Sequence, residues 1–137
     1  MADVQQGEGW SAANLDDLGE GPGFRKVRKA LGVESFGVNA VILPEGYATK
    51  PHYHDRQEEL YLVLDGEIEF TMGGRLTEDG DATLGGESIT LAPGGVIRIA
   101  PQTVRMARNT SPDATATYFA VGAADGYAGR DGRRPTA

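Results

Sequence analysis

The chain has 137 residues, a formal net charge of -7 and no cysteine. Its length is typical of one domain and suffices to bury a core without disulfides or structural metals. The lack of cysteine excludes a disulfide scaffold, a thiolate zinc site, an iron–sulfur cluster and a cysteine nucleophile. The acidic balance argues against a nucleic-acid partner, which normally meets a basic surface.

The sequence also argues against a membrane partner. No stretch approaches the ~20 apolar residues that a membrane-spanning helix needs. Residues 1–8 lack both the basic start and the apolar run of a secretory signal peptide. We therefore expect a cytoplasmic protein.

Both ends of the chain are predicted to lie outside the folded domain. Residues 1–22 are polar and rich in glycine, which predicts a flexible N-terminal arm. Residues 122–137 mix Gly, Asp, Arg and Pro with few apolar groups, so they bury too little surface to order themselves. We expect a mobile C-terminal tail there, and a single domain over residues 23–121.

Short strand patterns follow one another through this domain. Apolar and alternating runs bounded by Gly, Pro and Asp turn signals predict strands near residues 36–43, 60–64, 67–72, 88–91, 96–99, 104–108 and 115–121. The only candidate helix is a short one near residues 26–31, and its pattern is weak. This series of short strands predicts an all-β sandwich or barrel.

Both histidines of the chain fall at one spot, His52 and His54. Side chains two residues apart on an extended backbone point to the same face. Glu58 and Glu59 open the next predicted strand. A turn between the histidines and this strand brings one of the two carboxylates beside the imidazoles. Two imidazoles and a carboxylate can hold a divalent transition metal with positions left open, whereas the alternative is a chance surface pattern. Strand alternation leaves the choice between Glu58 and Glu59 undecided.

These residues resemble the first cupin motif: Gly, five residues, His-x-His, three or four residues, Glu, six residues, Gly. The chain supplies Gly46, His52, His54, Glu59 and Gly66 at those spacings, and the count to Gly66 selects Glu59. The resemblance implies a cupin-like antiparallel β-barrel, also described as a double-stranded β-helix or jelly roll, with the site in its mouth. It implies that His52, His54 and Glu59 bind a divalent transition metal such as Fe, Mn, Zn or Ni.

The second cupin motif keeps its spacing but not its residues. Ala100, Gln102 and Arg105 stand where cupins have Pro, Gly and His. That histidine is usually the fourth metal ligand, and a guanidinium cannot replace it because it stays protonated. Two outcomes follow. Either three ligands hold a metal and Arg105 clamps an anionic substrate, or the metal is absent and Arg105 pairs with Glu59.

The resemblance leaves two classes of function open. In a metalloenzyme, the ion polarises a small substrate or binds dioxygen, Arg105 fixes an anionic group, and Tyr61 assists as a hydrogen-bond or proton donor. Dioxygenation, isomerisation and decarboxylation remain open, because a fold does not name a reaction. The alternative is a non-catalytic barrel that binds a small ligand without metal, and in that case Tyr61 is a core aromatic.

The strand near residues 60–64 also predicts an interface. If Glu59 and Tyr61 face the barrel interior, then Leu60, Leu62 and Leu64 face outward. Such an apolar stripe needs cover from the arm, a second sheet or another subunit. Because cupins often form dimers, we expect a homodimer.

Overall fold

The computed structural model describes residues 3–73, 75–76, 82–83, 86–129 and 131–134. Its strands are β1 (Gln5–Gly7), β2 (Trp10–Ala12), β3 (Gly23–Arg25), β4 (Gly37–Leu43), β5 (Tyr53–His54), β6 (Glu58–Asp65), β7 (Ile68–Met72), β8 (Arg75–Leu76), β9 (Ala82–Thr83), β10 (Glu87–Leu91), β11 (Val96–Ile99), β12 (Arg105–Asn109), β13 (Ala116–Ala123) and β14 (Gly132–Arg133). A 3-10 helix spans Leu15–Leu18, and α1 spans Val27–Leu31.

Two antiparallel sheets build the body of the fold. One has the strand order β11-β6-β13-β4-β3, and the other has the order β10-β7-β12. The chain before β5 lies along β12, where the backbone of His52 exchanges hydrogen bonds with that of Arg105 (3.1 and 2.9 Å). The backbone N–H of Thr49 donates to the Ala107 carbonyl at 2.8 Å. Both histidines are therefore carried by a segment that continues the smaller sheet.

The core lies between the inner faces of the two sheets. Three rings occupy its centre: Tyr61 stacks on Phe70 with centroids 5.5 Å apart, and Tyr118 meets each ring edge to face. Such offset and perpendicular contacts are the favoured geometries of aromatic pairs. The buried cluster consists of Val41, Leu43, Tyr61, Val63, Ile68, Phe70, Ile99, Ala107, Ala116 and Tyr118.

Strand β6 alternates between buried and exposed residues. Glu59, Tyr61 and Val63 are buried, whereas Leu60 and Leu64 are 44 % and 39 % exposed. Successive side chains on a strand point to opposite faces. Strand β6 therefore directs its carboxylate and its tyrosine into the barrel and leaves two leucines on the outside.

The all-β prediction is confirmed, and each of the seven predicted strands is present. The weak helix candidate also forms, as α1. Gly32 ends it with a φ of 74°, and the Gly32 N–H donates to the Arg28 carbonyl at 2.9 Å. A left-handed residue at this position is typical of a helix end, and glycine adopts it at no steric cost. Val27 on the helix is buried.

The ends of the chain contain more secondary structure than their composition indicates. In the arm, β1 pairs with β2, and Ser11 Oγ donates to the Leu31 carbonyl at 2.8 Å. After residue 121, β13 continues to Ala123, and β14 pairs with β5. Residues 1–2, 130 and 135–137 lie outside the described residues. The flexibility of the arm and the mobility of the tail stay predictions.

Candidate metal centre

The structure brings His52, His54 and Glu59 together inside the barrel. Each offers one ligand atom, and the three atoms lie within 4.8 Å of one another. His54 Nε2 is 3.1 Å from Glu59 Oε1, and these two side chains are only 11 % and 10 % exposed. Ligand atoms ~2 Å from a common ion are about 3–4 Å apart. The cluster is therefore close to the size of a metal site.

Both imidazoles have a hydrogen-bond partner at the same nitrogen, Nδ1. His52 Nδ1 contacts the Lys50 carbonyl at 3.3 Å, and His54 Nδ1 contacts Asp131 Oδ1 at 2.8 Å. Carbonyl and ionised carboxylate oxygens only accept hydrogen bonds, so Nδ1 carries the proton in each ring. Nε2 is then the nitrogen left for a ligand. In His54 that atom is buried, and no described residue forms a hydrogen bond with it.

Arg105 lies beside Glu59, at the position where cupins have their last histidine. Its side chain is 1 % exposed, and Nη1 donates to the carbonyls of Pro101 (2.9 Å) and Thr103 (2.8 Å). Nη2 is 3.2 Å from Glu59 Oε1. Within the described part of the chain, Nη2 and Nε find no hydrogen-bond acceptor. The guanidinium therefore supplies a buried positive charge beside Glu59.

Tyr61 completes the surroundings of Glu59 by donating its hydroxyl proton to Oε1. His54 and Arg105 also approach that oxygen. No hydrogen bond from the described residues reaches the second oxygen, Oε2. All five predicted site residues are thus neighbours, and Glu59 is the residue that the other four surround.

The charges within the cluster are coupled. Burial by itself raises the pKa of Glu59, but contacts with His54 and Tyr61 and the Arg105 charge outweigh burial, so the net shift is downward. Burial and the Glu59 charge raise the pKa of Tyr61 well above its usual range. Near neutral pH, Glu59 is therefore an anion, and Tyr61 is a neutral donor rather than a base.

The pKa values of the two histidines move in opposite directions. Burial and the Arg105 charge lower the pKa of His52, which keeps it neutral at pH 7 and able to bind a metal. Burial also lowers the pKa of His54, but its contacts with Glu59 and Asp131 outweigh this effect and the net shift is upward. A metal at His54 Nε2 therefore competes with a proton.

Two further residues shape the site, and sequence analysis missed both. Asp131 is buried and holds His54, although it lies in the predicted tail. Gln57 is buried next to Gly122, where a side chain would come within 2.7 Å of the Gln57 amide carbon. No spacing rule links Asp131 to the histidines, because 77 residues separate it from His54. The alternation of β6, continued back from Glu59, is the only signal that could have identified Gln57.

The cluster opens into a cavity of about 740 Å³. Ligand pockets commonly enclose about 300–1,000 Å³, so this one can hold a small organic molecule. Four of the five site residues line its wall, all except Arg105. Apolar side chains such as Val41 and Tyr118 and the partly exposed rings of Phe24 and Tyr47 complete it. A ligand here would meet charged groups and an apolar surface together.

The residues fit a divalent transition metal. Two neutral imidazoles and an ionised carboxylate are the donors such ions take in open sites. The buried Nε2 of His54, which has no hydrogen-bond partner in the described structure, is where a ligand bond would form. Arg105 does not supply a fourth ligand, so open positions remain for a substrate.

Comparison with known proteins identifies the family. The sequence profile of the Cupin domain family, Cupin_2, matches residues 39–122. The chain therefore belongs to the cupin family, as the motif resemblance predicted. No curated protein matches it. Among the described residues, no helix is long and apolar enough to cross a membrane.

Solved structures support the same fold. A cupin protein from Bacteroides fragilis is 23 % identical with a TM-score of 0.61, covering 95 % of this chain and 89 % of that one. A double-stranded β-helix protein from Klebsiella pneumoniae is 21 % identical, with a TM-score of 0.54 and coverage of 66 % and 69 %. The DMSP lyase DddQ from Ruegeria pomeroyi is 23 % identical, with a TM-score of 0.56, covering 73 % of this chain but 43 % of the lyase.

Proposed function

We propose that this cupin is a metalloenzyme in which His52, His54 and Glu59 hold a divalent transition metal. The observation that carries the proposal is the convergence of their three ligand atoms within 4.8 Å at the wall of a cavity. His54 Nε2 supports it, because in the neutral ring this buried nitrogen and Glu59 Oε1 are two acceptors 3.1 Å apart, a contact that a cation shared between them would stabilise.

The neighbouring side chains fit a small anionic substrate. A bound ion supplies Lewis acidity or a site for dioxygen. Arg105, buried beside Glu59, would supply the positive charge that attracts a carboxylate of the substrate to this side of the cavity. Tyr61 orients Glu59 with its single hydroxyl proton and stays protonated, so it would donate to a substrate only by releasing Glu59, and it does not act as a base. The choice among dioxygenation, isomerisation and decarboxylation stays open, because the fold hosts more than one chemistry.

The test is metal content and metal binding by calorimetry, with protein prepared without an affinity tag. We expect one ion per chain for the wild type and loss of binding in His52→Ala and Glu59→Gln. Glu58→Gln is the matched control, because Glu58 neighbours Glu59 but is exposed and pairs with Arg98. Equal and weak binding by all four proteins would refute a metal site.

The second candidate is a non-catalytic barrel that binds a small carboxylate without metal. The observation that favours it is the position of Arg105 Nη2, 3.2 Å from Glu59, where the guanidinium can neutralise the carboxylate. Thermal shifts separate the two, because a ligand that binds the folded state raises its melting temperature. Metal-dependent shifts that vanish in His54→Ala support the enzyme, whereas shifts with carboxylates alone support the binding protein.

The outer face of β6 supports a homodimer. Leu60, Leu64 and Val96 are 44 %, 39 % and 59 % exposed on neighbouring strands, and apolar side chains so grouped often mark an interface. We expect a dimer by light scattering and a monomer for Leu60→Lys. Ile89→Lys is the control, since Ile89 is equally exposed (46 %) on the other sheet. A monomeric wild type would contradict this proposal.

The cytoplasmic location and the lack of a nucleic-acid partner stay predictions.

A further inference from the structure

Asp131 makes contacts that a surface aspartate would not make. Its Oδ1 lies 2.8 Å from His54 Nδ1, and its Oδ2 accepts hydrogen bonds from the backbone N–H groups of Arg56 (2.9 Å) and Gln57 (2.7 Å). The residue is 8 % exposed. One carboxylate thus holds both an imidazole and the turn that leads from the histidines into β6.

The chain around Asp131 is anchored to the same place. Strand β14 pairs with β5, and the Asp55 N–H donates to the Asp131 carbonyl at 3.0 Å. Arg133 Nη2 forms an exposed ion pair with Asp55 Oδ2 at 2.8 Å. These contacts fix the backbone of Asp131 independently of its side chain, so the aspartate can be changed without removing the segment's other attachments.

We infer that Asp131 is a positioning residue, which holds His54 as the tautomer protonated on Nδ1 and so reserves Nε2 for a metal. An ionised carboxylate offers no proton, so the nitrogen that faces it must be the donor. A carboxylate behind a ligating imidazole fixes the ring's orientation and increases its basicity. Asp131 lies beyond residues 39–122, which match the family profile. The effect on metal affinity rests on the proposed function, whereas the tautomer does not.

The decisive variant is Asp131→Asn, which keeps the size of the side chain. Its amide oxygen can still accept from the Arg56 and Gln57 N–H groups, so the NH2 group faces His54 Nδ1. That contact requires an acceptor at Nδ1, which moves the ring proton to Nε2 and blocks the metal position. We expect metal affinity to fall by about 10–100-fold, measured by calorimetry with Zn²⁺ and Mn²⁺.

Asp55→Asn is the matched control. It removes a carboxylate from the residue that follows β5 and breaks the ion pair with Arg133 on β14, but the Asp55 side chain is not bonded to the His54 ring. We expect wild-type metal affinity in this variant. An equal loss of affinity in both variants would show that docking of the segment, not the tautomer, is what counts, and would overturn the inference.

A second measurement needs no metal. The ¹⁵N chemical shifts of the two imidazole nitrogens report which one is protonated, at a pH above the His54 pKa read from the same spectra. We expect Nδ1–H in the wild type and Nε2–H in Asp131→Asn; Asp131→Ala, which leaves Nδ1 without a partner, should show a mixture. The same tautomer in all three proteins would overturn the inference. If the tautomer changes as expected but the wild type binds no metal, the proposed function fails and the positioning role stands.

Discussion

Replacing Arg105 by methionine tests whether the buried charges of the site depend on one another. Methionine has a similar length, but it leaves Glu59 as a buried anion without its cation and leaves two carbonyls without the Nη1 donor. Removing one partner of a buried ion pair costs about 3–5 kcal/mol. Unfolding entropy is about 2.1 cal/mol/K per residue, so a loss of ~4 kcal/mol over 137 residues lowers Tm by about 14 °C.

Urea unfolding at neutral pH measures the free energy directly. The control is Arg98→Met, which breaks the Arg98–Glu58 pair; these side chains are 63 % and 52 % exposed, so the loss should stay within about 1 kcal/mol. Adding Glu59→Gln to Arg105→Met removes the buried carboxylate charge that has lost its cation. The double variant should therefore recover about 1–3 kcal/mol relative to additive losses.

The same unfolding experiment can be repeated with a divalent metal present. In Arg105→Met the ion is the only cation beside Glu59, so saturating metal should stabilise the variant more than it stabilises the wild type. A loss below ~1 kcal/mol for Arg105→Met, equal to that of Arg98→Met, would refute the argument that the charges are coupled by burial.

Three further predictions concern stability. Asn109→Ala should cost about 2–4 kcal/mol by urea unfolding, because the two hydrogens of Asn109 Nδ2 are shared among three carbonyls inside the protein; an unchanged midpoint would contradict this. Phe70→Ala, at a completely buried ring, should cost about 3–5 kcal/mol in the same assay. Burial and the Glu59 charge raise the pKa of Tyr118 in the folded protein above the unfolded-chain value of ~10. The stability contributed by the neutral Tyr118 hydroxyl is therefore complete below pH ~10 and is lost as the pH rises above it. Between pH ~8 and ~11, Tyr118→Phe should lose less stability than the wild type does, and equal losses would count against this cause.

The sequence predicted the barrel well because each main strand shows its own pattern. In β6 the alternation of Glu59, Tyr61 and Val63 with leucines corresponds to one buried and one exposed face. Alternation alone could not choose between Glu58 and Glu59, because both faces of this strand are apolar. The choice came from the motif spacing, and the structure buries Glu59 and exposes Glu58.

The contacts at the two ends could not be predicted in the same way. Strands β1, β3 and β14 have two or three residues each, too few to show a period. Asp131 sits among Gly and Arg residues whose composition is typical of a mobile segment. Asp131 is held in place by hydrogen bonds with His54 and with the backbone of Arg56 and Gln57, which lie far earlier in the chain. Local composition does not encode such distant partners.

The attachment of Asp131 through a short terminal strand has a consequence for how the protein responds to heat. When the barrel is folded, only the chain that follows β13 has to be held against His54, and β14 contributes just two residues of pairing to hold it there. Segments with few buried contacts open locally at a fraction of the global unfolding free energy. Warming should therefore release the imidazole from its carboxylate while the barrel is still intact, and a metal at the proposed site should dissociate some degrees below the temperature at which the barrel unfolds.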